Sequence, residues 1–207
     1  MKKIIALVLS ILMLTLALSS CGEKVPYEKS ETETNYVLID VKGFGKIVVE
    51  LYPDLAPVTV ANFKKLVSES FYDGITFHRV VEGFMIQGGD PDGNGTGGSS
   101  EQIYGEFSAN GFNNTIGHKR GVISMARGSY SMDSASSQFF IMHESTYQSS
   151  LDGLYAAFGE VVYGIDVVDK IATVETTWNA YGTEKSVPVK PIVMNSVYFV
   201  NPVASAN

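Results

Sequence analysis

The sequence predicts a mostly β domain: an antiparallel sheet closed into a barrel, with helical lids. Three observations predict it. Short runs rich in β-branched and aromatic residues recur between glycines along most of the 207-residue chain. Apolar residues fall at helical spacing in two stretches only, far apart in sequence. There is no parallel strand–helix–strand rhythm and no internal repeat, so the domain is single.

The elements follow in order. "YVLIDV" (Tyr36 to Val41) and "KIVVELY" (Lys46 to Tyr52) flank "KGFG" and predict a hairpin. In "APVTVANFKKLVSES" (Ala56 to Ser70) the period changes: Val60, Phe63 and Val67 share a helical face, and Pro57 suits a first turn. Strands return in "ITFHRVV", "FMIQ", "GVISMA", "QFFIMH" and "YAAFGEVV". "GIDVVDKIA" (Gly164 to Ala172) predicts the second helix, and "IVMNSVYFV" (Ile192 to Val200) the last strand.

Composition bounds the function. Charged residues make up 18% and hydrophobic ones 45%, enough to build a core. A net charge of −7 and a pI near 4.9 offer no basic face for phosphates, so a nucleic-acid partner is not expected.

The N-terminus reads as an export signal over residues 1–20. Lys2 and Lys3 precede a 15-residue apolar run, Ile4 to Leu18, too short for a membrane span of about 20 residues. "LSSC" (Leu18 to Cys21) resembles a bacterial lipobox, which implies a lipid on Cys21 and an extracytoplasmic domain anchored to the bacterial cell membrane. Cys21 is the only cysteine, so neither an internal disulfide nor a cysteine zinc site is available. Cleavage removes two lysines and takes the charge from −7 to −9. Residues 21–35, "CGEKVPYEKSETETN", lack apolar periodicity and are expected to be a flexible tether; the domain spans 36–201 and 202–207 form a tail.

One loop fits two motifs. "DPDGNGTGGSSE" (Asp90 to Glu101) matches a calcium loop at Asp90, Asp92, Asn94, Gly95 and Glu101, and Gly93 to Gly98 matches a dinucleotide fingerprint. Both need helices that the flanking sequence lacks, and the apolar eighth position of the calcium loop is Gly97. Neither a metal nor a cofactor is expected. The glycines point instead to tight turns or close approach of backbone to a ligand.

Four segments carry the chemistry: "FHRVVEGFMIQGGD" (Phe77 to Asp90), "NGTGG" (Asn94 to Gly98), "GVISMAR" (Gly121 to Arg127) and "SSQFFIM" (Ser136 to Met142), followed by "LDGLYAAFGEVV". In this order the chain, from about Tyr36 to Val200, resembles the cyclophilin family of peptidyl-prolyl cis-trans isomerases. The resemblance implies an eight-stranded antiparallel barrel capped by two α-helices, and rotation about X-Pro bonds as the activity. It implies that Arg79 is catalytic and that Gln87 orients it and holds substrate. Phe84, Met85, Phe140 and Leu151 match the walls of the proline pocket. Gly95, Ala126, Arg127 and Gln138 match the adjoining peptide groove. Phe139, next to Phe140 on the same strand, is expected in the core. His78 is expected to pack beside the site, and His118 and His143 to be structural or exposed.

The chain also departs from the family pattern. Ser150 stands where well-studied members have tryptophan, and Tyr155 where they have histidine, so turnover is expected to survive while cyclosporin binds weakly. "RGSYSMDSAS" (Arg127 to Ser136) is two residues longer than the usual loop and leaves substrate preference open. Trp178 lies away from every motif and has no assigned role. The implied function is a membrane-anchored prolyl isomerase, a monomer, acting on proline-containing segments of exported proteins. The competing readings are a proline-peptide-binding chaperone with incidental turnover and, on the Asp90–Glu101 loop alone, a calcium-dependent surface protein.

Overall fold

Alternation of side chains along each strand decides what faces the core. The structure is a computed structural model that describes residues 25–203; the apolar leader, Cys21 and residues 204–207 lie outside them. Strands β1 (Tyr27–Lys29), β2 (Tyr36–Val41) and β3 (Gly45–Leu51) precede helix α1 (Pro57–Ser68). Val37, Ile39 and Val41 of β2 and Ile47, Val49 and Leu51 of β3 turn into the main core, while Leu38 and Val48 face the other side. That outer face is covered by Val25 and Tyr27. The stretch expected to be a tether therefore contributes a strand, β1, paired with the C-terminal strand. Its tyrosine and valine were signals hidden in a polar segment.

Helix α1 buries Val60, Phe63, Leu66 and Val67, with Phe63 5.6 Å from Phe139 and 5.1 Å from Phe158 between ring centres. Its N-cap, Ala56, has no side chain to offer. Glu106 caps it from a distant loop: its carboxylate accepts the Val58 N–H at 3.0 Å, the Thr59 N–H at 2.8 Å and the Thr59 hydroxyl at 2.7 Å. An anion at a helix N-terminus meets both the orphan donors and the helix dipole, which is how a fully buried carboxylate is tolerated.

Strands β4 (Thr76–Val81), β5 (Met85–Asp90), β6 (Val122–Met125) and β7 (Phe139–Met142) follow, then the single turn α2 (Gln148–Leu151), β8 (Ala157–Tyr163) and α3 (Ile165–Ala172). A short hairpin, β9 (Thr176–Trp178) and β10 (Lys185–Pro188), precedes β11 (Met194–Pro202). The fold is mostly β with few helices. Among the described residues three are α rather than the two expected, and Ser108–Asn110 adds a 3₁₀ turn.

The expected closed eight-stranded barrel needs correction. Nine antiparallel strands form an open ladder in the order β1-β11-β2-β3-β8-β6-β7-β5-β4. Strand β4 meets the start of β11: Thr76 makes an isolated bridge to Val193, the Phe77 N–H donates to the Ile192 carbonyl at 2.9 Å, the Met194 N–H to the Ile75 carbonyl at 2.9 Å and the Gly74 N–H to the Met194 carbonyl at 2.7 Å. The register of β11 slips between Met194 and Ser196. The contact does not extend into a continuous ladder.

Candidate active site

The strands that turn one face to the core turn the other to the site. On β5, β7 and β8, Ile86, Phe139, Ile141 and Phe158 belong to the main core, while Met85, Phe140, Met142 and Ala157 form a second cluster on the opposite face. Leu151 completes that second cluster, and Phe84, Ala126 and Tyr155 pack against it. Phe139 and Phe140 are both buried, on opposite faces, as strand alternation requires.

Cross-strand register then lines up the polar groups. Arg79 of β4 is opposite Gln87 of β5, Gln87 opposite Phe140 of β7, and Phe140 opposite Ser124 of β6. The register slips between Phe77 and Arg79, making His78 the extra residue of a bulge. A bulge re-aims the side chain beside it, and here that side chain is Arg79.

The guanidinium of Arg79 is half-buried and held from two sides. Its Nη1 donates to Gln87 Oε1 at 3.1 Å and lies 3.9 Å from Met85 Sδ. Nε and Nη2 donate to the two carboxylate oxygens of Glu184 at 2.6 and 2.7 Å. Arg79 holds the Glu184 carboxyl below the usual carboxylate range. The Phe84 ring lies 5.6 Å from the guanidinium carbon.

Gln87 passes the link on. Its Nε2 donates to Gln138 Oε1 at 2.9 Å, and Gln138 Nε2 donates to the carbonyls of Gly97 at 2.8 Å and Gly95 at 3.2 Å. The glycine loop is folded by Asp90, whose carboxylate accepts backbone N–H groups of Asp92, Asn94 and Gly95 at 2.9, 3.1 and 2.6 Å. Asp90 is buried, and burial alone would raise its carboxyl; the backbone donors outweigh this and hold it low. The first "ligand" of the calcium pattern is thus engaged by the loop's own amides. Asn94 accepts likewise from the Thr96 N–H and hydroxyl, and Glu101 reaches Lys65 at 3.5 Å. Gly89 is required by close approach: at φ +84° a Cβ there would strike the Ser137 carbonyl oxygen.

Two adjoining cavities result. The first, about 630 Å³, is lined by Arg79, Phe84, Met85 and Gln87, by Gly95, Ala126 and Arg127, and by Phe140, Leu151 and Tyr155. The second, about 710 Å³, shares Gln87, Gly95, Ala126 and Arg127 and adds Gln138 and the 128–136 loop. Every sequence-expected site residue within the described range borders one or the other. Arg127 is committed elsewhere in part: its guanidinium lies between the Phe107 and Tyr155 rings, 5.3 and 5.0 Å from their centres, and donates to the Leu154 carbonyl at 3.0 Å. Ser150 is exposed on α2.

The histidines take structural places around the site. His118 is fully buried; its Nδ1 lies 2.8 Å from Asp152 Oδ1, its Nε2 3.0 Å from Ser124 Oγ, and its ring stacks on Phe140 at 5.9 Å. Burial lowers its pKa, although Asp152 works against this, so at neutral pH the contact is a hydrogen bond to a neutral ring rather than an ion pair. Ser124 is fully buried, so the row of serine, histidine and aspartate supports the Phe140 wall and presents no nucleophile to solvent. His143 Nδ1 accepts the Gly83 N–H at 2.9 Å, pinning the turn that carries Phe84. His78 lines the first cavity, with burial lowering its pKa.

Sequence reasoning missed the fourth wall. Trp178, Asn179, Ala180, Tyr181, Glu184 and Ser186 of the β9–β10 hairpin all line the first cavity. The available signal was "TTWNAYGTEKSV": β-rich runs around an asparagine and glycine turn. Gly182 has φ +66°, and Asn179 closes the turn by accepting the Thr183 N–H at 3.0 Å.

Comparison with known proteins shows the family. The family described as cyclophilin type peptidyl-prolyl cis-trans isomerase/CLD matches residues 36–198. Peptidyl-prolyl cis-trans isomerase B of Bacillus subtilis is 46% identical over 134 residues, 65% of this chain and 87% of that protein. Peptidyl-prolyl cis-trans isomerase A of Dickeya dadantii is 38% identical over 202 residues, 96% of this chain and 98% of the other. A cyclophilin type isomerase of Cryptosporidium parvum, solved in the presence of the dipeptide Ala-Pro, matches with a TM-score of 0.69 at 27% identity, covering 79% of this chain and 98% of that one. With a bulge-aimed arginine over an apolar floor and a family match across most of its length, this chain belongs to the cyclophilin-type peptidyl-prolyl cis-trans isomerases.

Proposed function

We propose that this isomerase turns X-Pro bonds in the first cavity, with Arg79 as the catalytic donor, and that it serves exported proteins while tethered to a membrane by lipid on Cys21. The observation that supports the site is the guanidinium of Arg79 held by Gln87 above a floor of Phe84, Met85, Phe140 and Leu151.

Amide resonance sets a barrier of about 18–20 kcal/mol, and uncatalysed exchange takes tens of seconds or longer. A ~10⁵-fold acceleration removes about 7 kcal/mol. No bond is broken, so the protein has two tasks: grip the proline ring and favour the twisted amide over the planar one. The apolar floor does the first. The Arg79 donors do the second, hydrogen-bonding the prolyl carbonyl and favouring loss of conjugation at the prolyl nitrogen, in a pocket already arranged for it. Gln87 keeps the guanidinium in place. The second cavity takes the neighbouring peptide, through the backbone of the 95–97 loop and the amide of Gln138.

The test is cis-trans exchange of a proline tetrapeptide by the wild type and by Arg79→Ala, with and without EDTA. Activity in the wild type, lost by about a hundredfold or more in the variant and indifferent to EDTA, is expected. Undiminished turnover by Arg79→Ala would reassign the catalytic group, and loss with EDTA would restore the calcium reading. Binding without turnover would make the chain a peptide holder. The anchor is tested separately: Cys21→Ala should move the protein from the membrane fraction to the soluble one.

A further inference from the structure

Arg79 has five N–H donors. Three are already engaged: Nε and one on Nη2 by Glu184, and one on Nη1 by Gln87. One hydrogen on Nη2 is left for a substrate, and the second on Nη1 faces only the weak acceptor Met85 Sδ at 3.9 Å. The carboxylate takes the Nε side of the guanidinium plane, and a two-point contact between planar groups fixes the plane's tilt as well as its position.

Glu184 is itself held. It follows the turn that Asn179 closes, where the Asn179 N–H donates to the Glu184 carbonyl at 2.8 Å and the Thr183 N–H returns to Asn179 Oδ1 at 3.0 Å. Ser186, on the same hairpin, is buried and supports the carboxylate. The hairpin is not part of the nine-stranded sheet, yet β10 packs beside β4, the strand that carries Arg79. Its residues line the first cavity and none of the second.

We propose that Glu184 is a positioning residue for isomerisation: the β9–β10 hairpin delivers its carboxylate to the Nε–Nη2 edge of Arg79, and so fixes the remaining Nη2 donor against the substrate amide. This rests on the reading of Arg79 as the catalytic donor. A carboxylate competing with substrate for the arginine would instead restrain the enzyme, and the two roles differ in sign.

A double-mutant cycle on prolyl tetrapeptide exchange decides between them. Glu184→Ala should lower kcat roughly tenfold to a hundredfold, the cost of a misplaced catalytic group, with KM changed much less. Glu184→Gln, which can still accept one N–H, should fall in between. In an Arg79→Ala background the same Glu184→Ala change should cost nothing further, whereas a merely structural role would cost as much in either background. Wild-type or raised kcat in a folded Glu184→Ala protein overturns the proposal, as does wild-type kcat in Glu184→Gln should the alanine variant not fold. An additional loss in the Arg79→Ala background overturns it too. If Arg79→Ala itself keeps full activity, the assignment of Arg79 falls first and carries this one with it; if only the Glu184 variants are silent, the isomerase site stands and Glu184 alone is displaced.

Discussion

Gln87 and Gln138 are joined side chain to side chain, the Nε2 of the first donating to the Oε1 of the second at 2.9 Å. The bond couples the orientation of Arg79 to the glycine loop, because Gln138 also holds the Gly95 and Gly97 carbonyls. Gln138→Ala unties both ends. It is expected to lower kcat/KM about tenfold; an unchanged value would mean the relay is idle during turnover.

Asp90 organises the loop between the cavities through three backbone bonds. Asp90→Ala leaves those N–H groups without an acceptor, at a cost of about 1–3 kcal/mol, and should weaken peptide binding in the second cavity. The folded carboxyl is held below its ordinary value of 3.8. Its contribution is therefore present above about pH 4 and is lost as pH falls through the folded value. Denaturant midpoints of wild type and variant should converge under acid; parallel curves would contradict the assignment.

His118 sets a second pH dependence, higher on the scale. Its folded pKa lies below the ordinary 6.5 because burial penalises the charged ring. The unfolded chain takes up the proton first, so stability is full above about pH 6.5 and declines as pH drops below it. His78, lowered by burial as well, adds with the same sign. Thermal midpoints from about pH 7.5 to about pH 5.5 should fall, with a shallower slope in His118→Gln. A wild-type midpoint flat across that window would refute this.

Trp178 is the only tryptophan in the chain, 60% exposed, and lines the first cavity beside Glu184. A peptide seated there removes water from the indole. Intrinsic emission should shift to the blue on titration with a proline peptide and saturate with the same midpoint as inhibition of exchange by that peptide. Emission unmoved at saturation would mean that the hairpin does not border the bound chain.

Periodicity made most of the scaffold legible. Helix α1 lies within the stretch where Val60, Phe63 and Val67 repeat, and β2 spans the β-rich run Tyr36–Val41. What periodicity could not reveal was β1, whose three residues carry a single apolar ring, and the β9–β10 hairpin, each strand of which is too short to establish a period. The site residues marked by the "FHR", "GFMIQGGD" and "SQFF" segments all border the cavities, because strand register places alternate residues in one row.

The sequence by itself determined the two-faced strands, the helix on Phe63 and the identities of the polar row from Arg79 to Phe140, since these depend on spacing along one chain. The tertiary structure decided what meets across it. Glu184 reaches Arg79 over 105 residues of sequence, Glu106 caps α1 over 47 or 48, and Asp152 reaches His118 over 34. Each is a carboxylate whose partner is chosen by proximity after folding, and charge carries no periodicity by which a sequence could announce the pairing. The open seam between β4 and β11 has the same origin: closure depends on where two distant edges arrive.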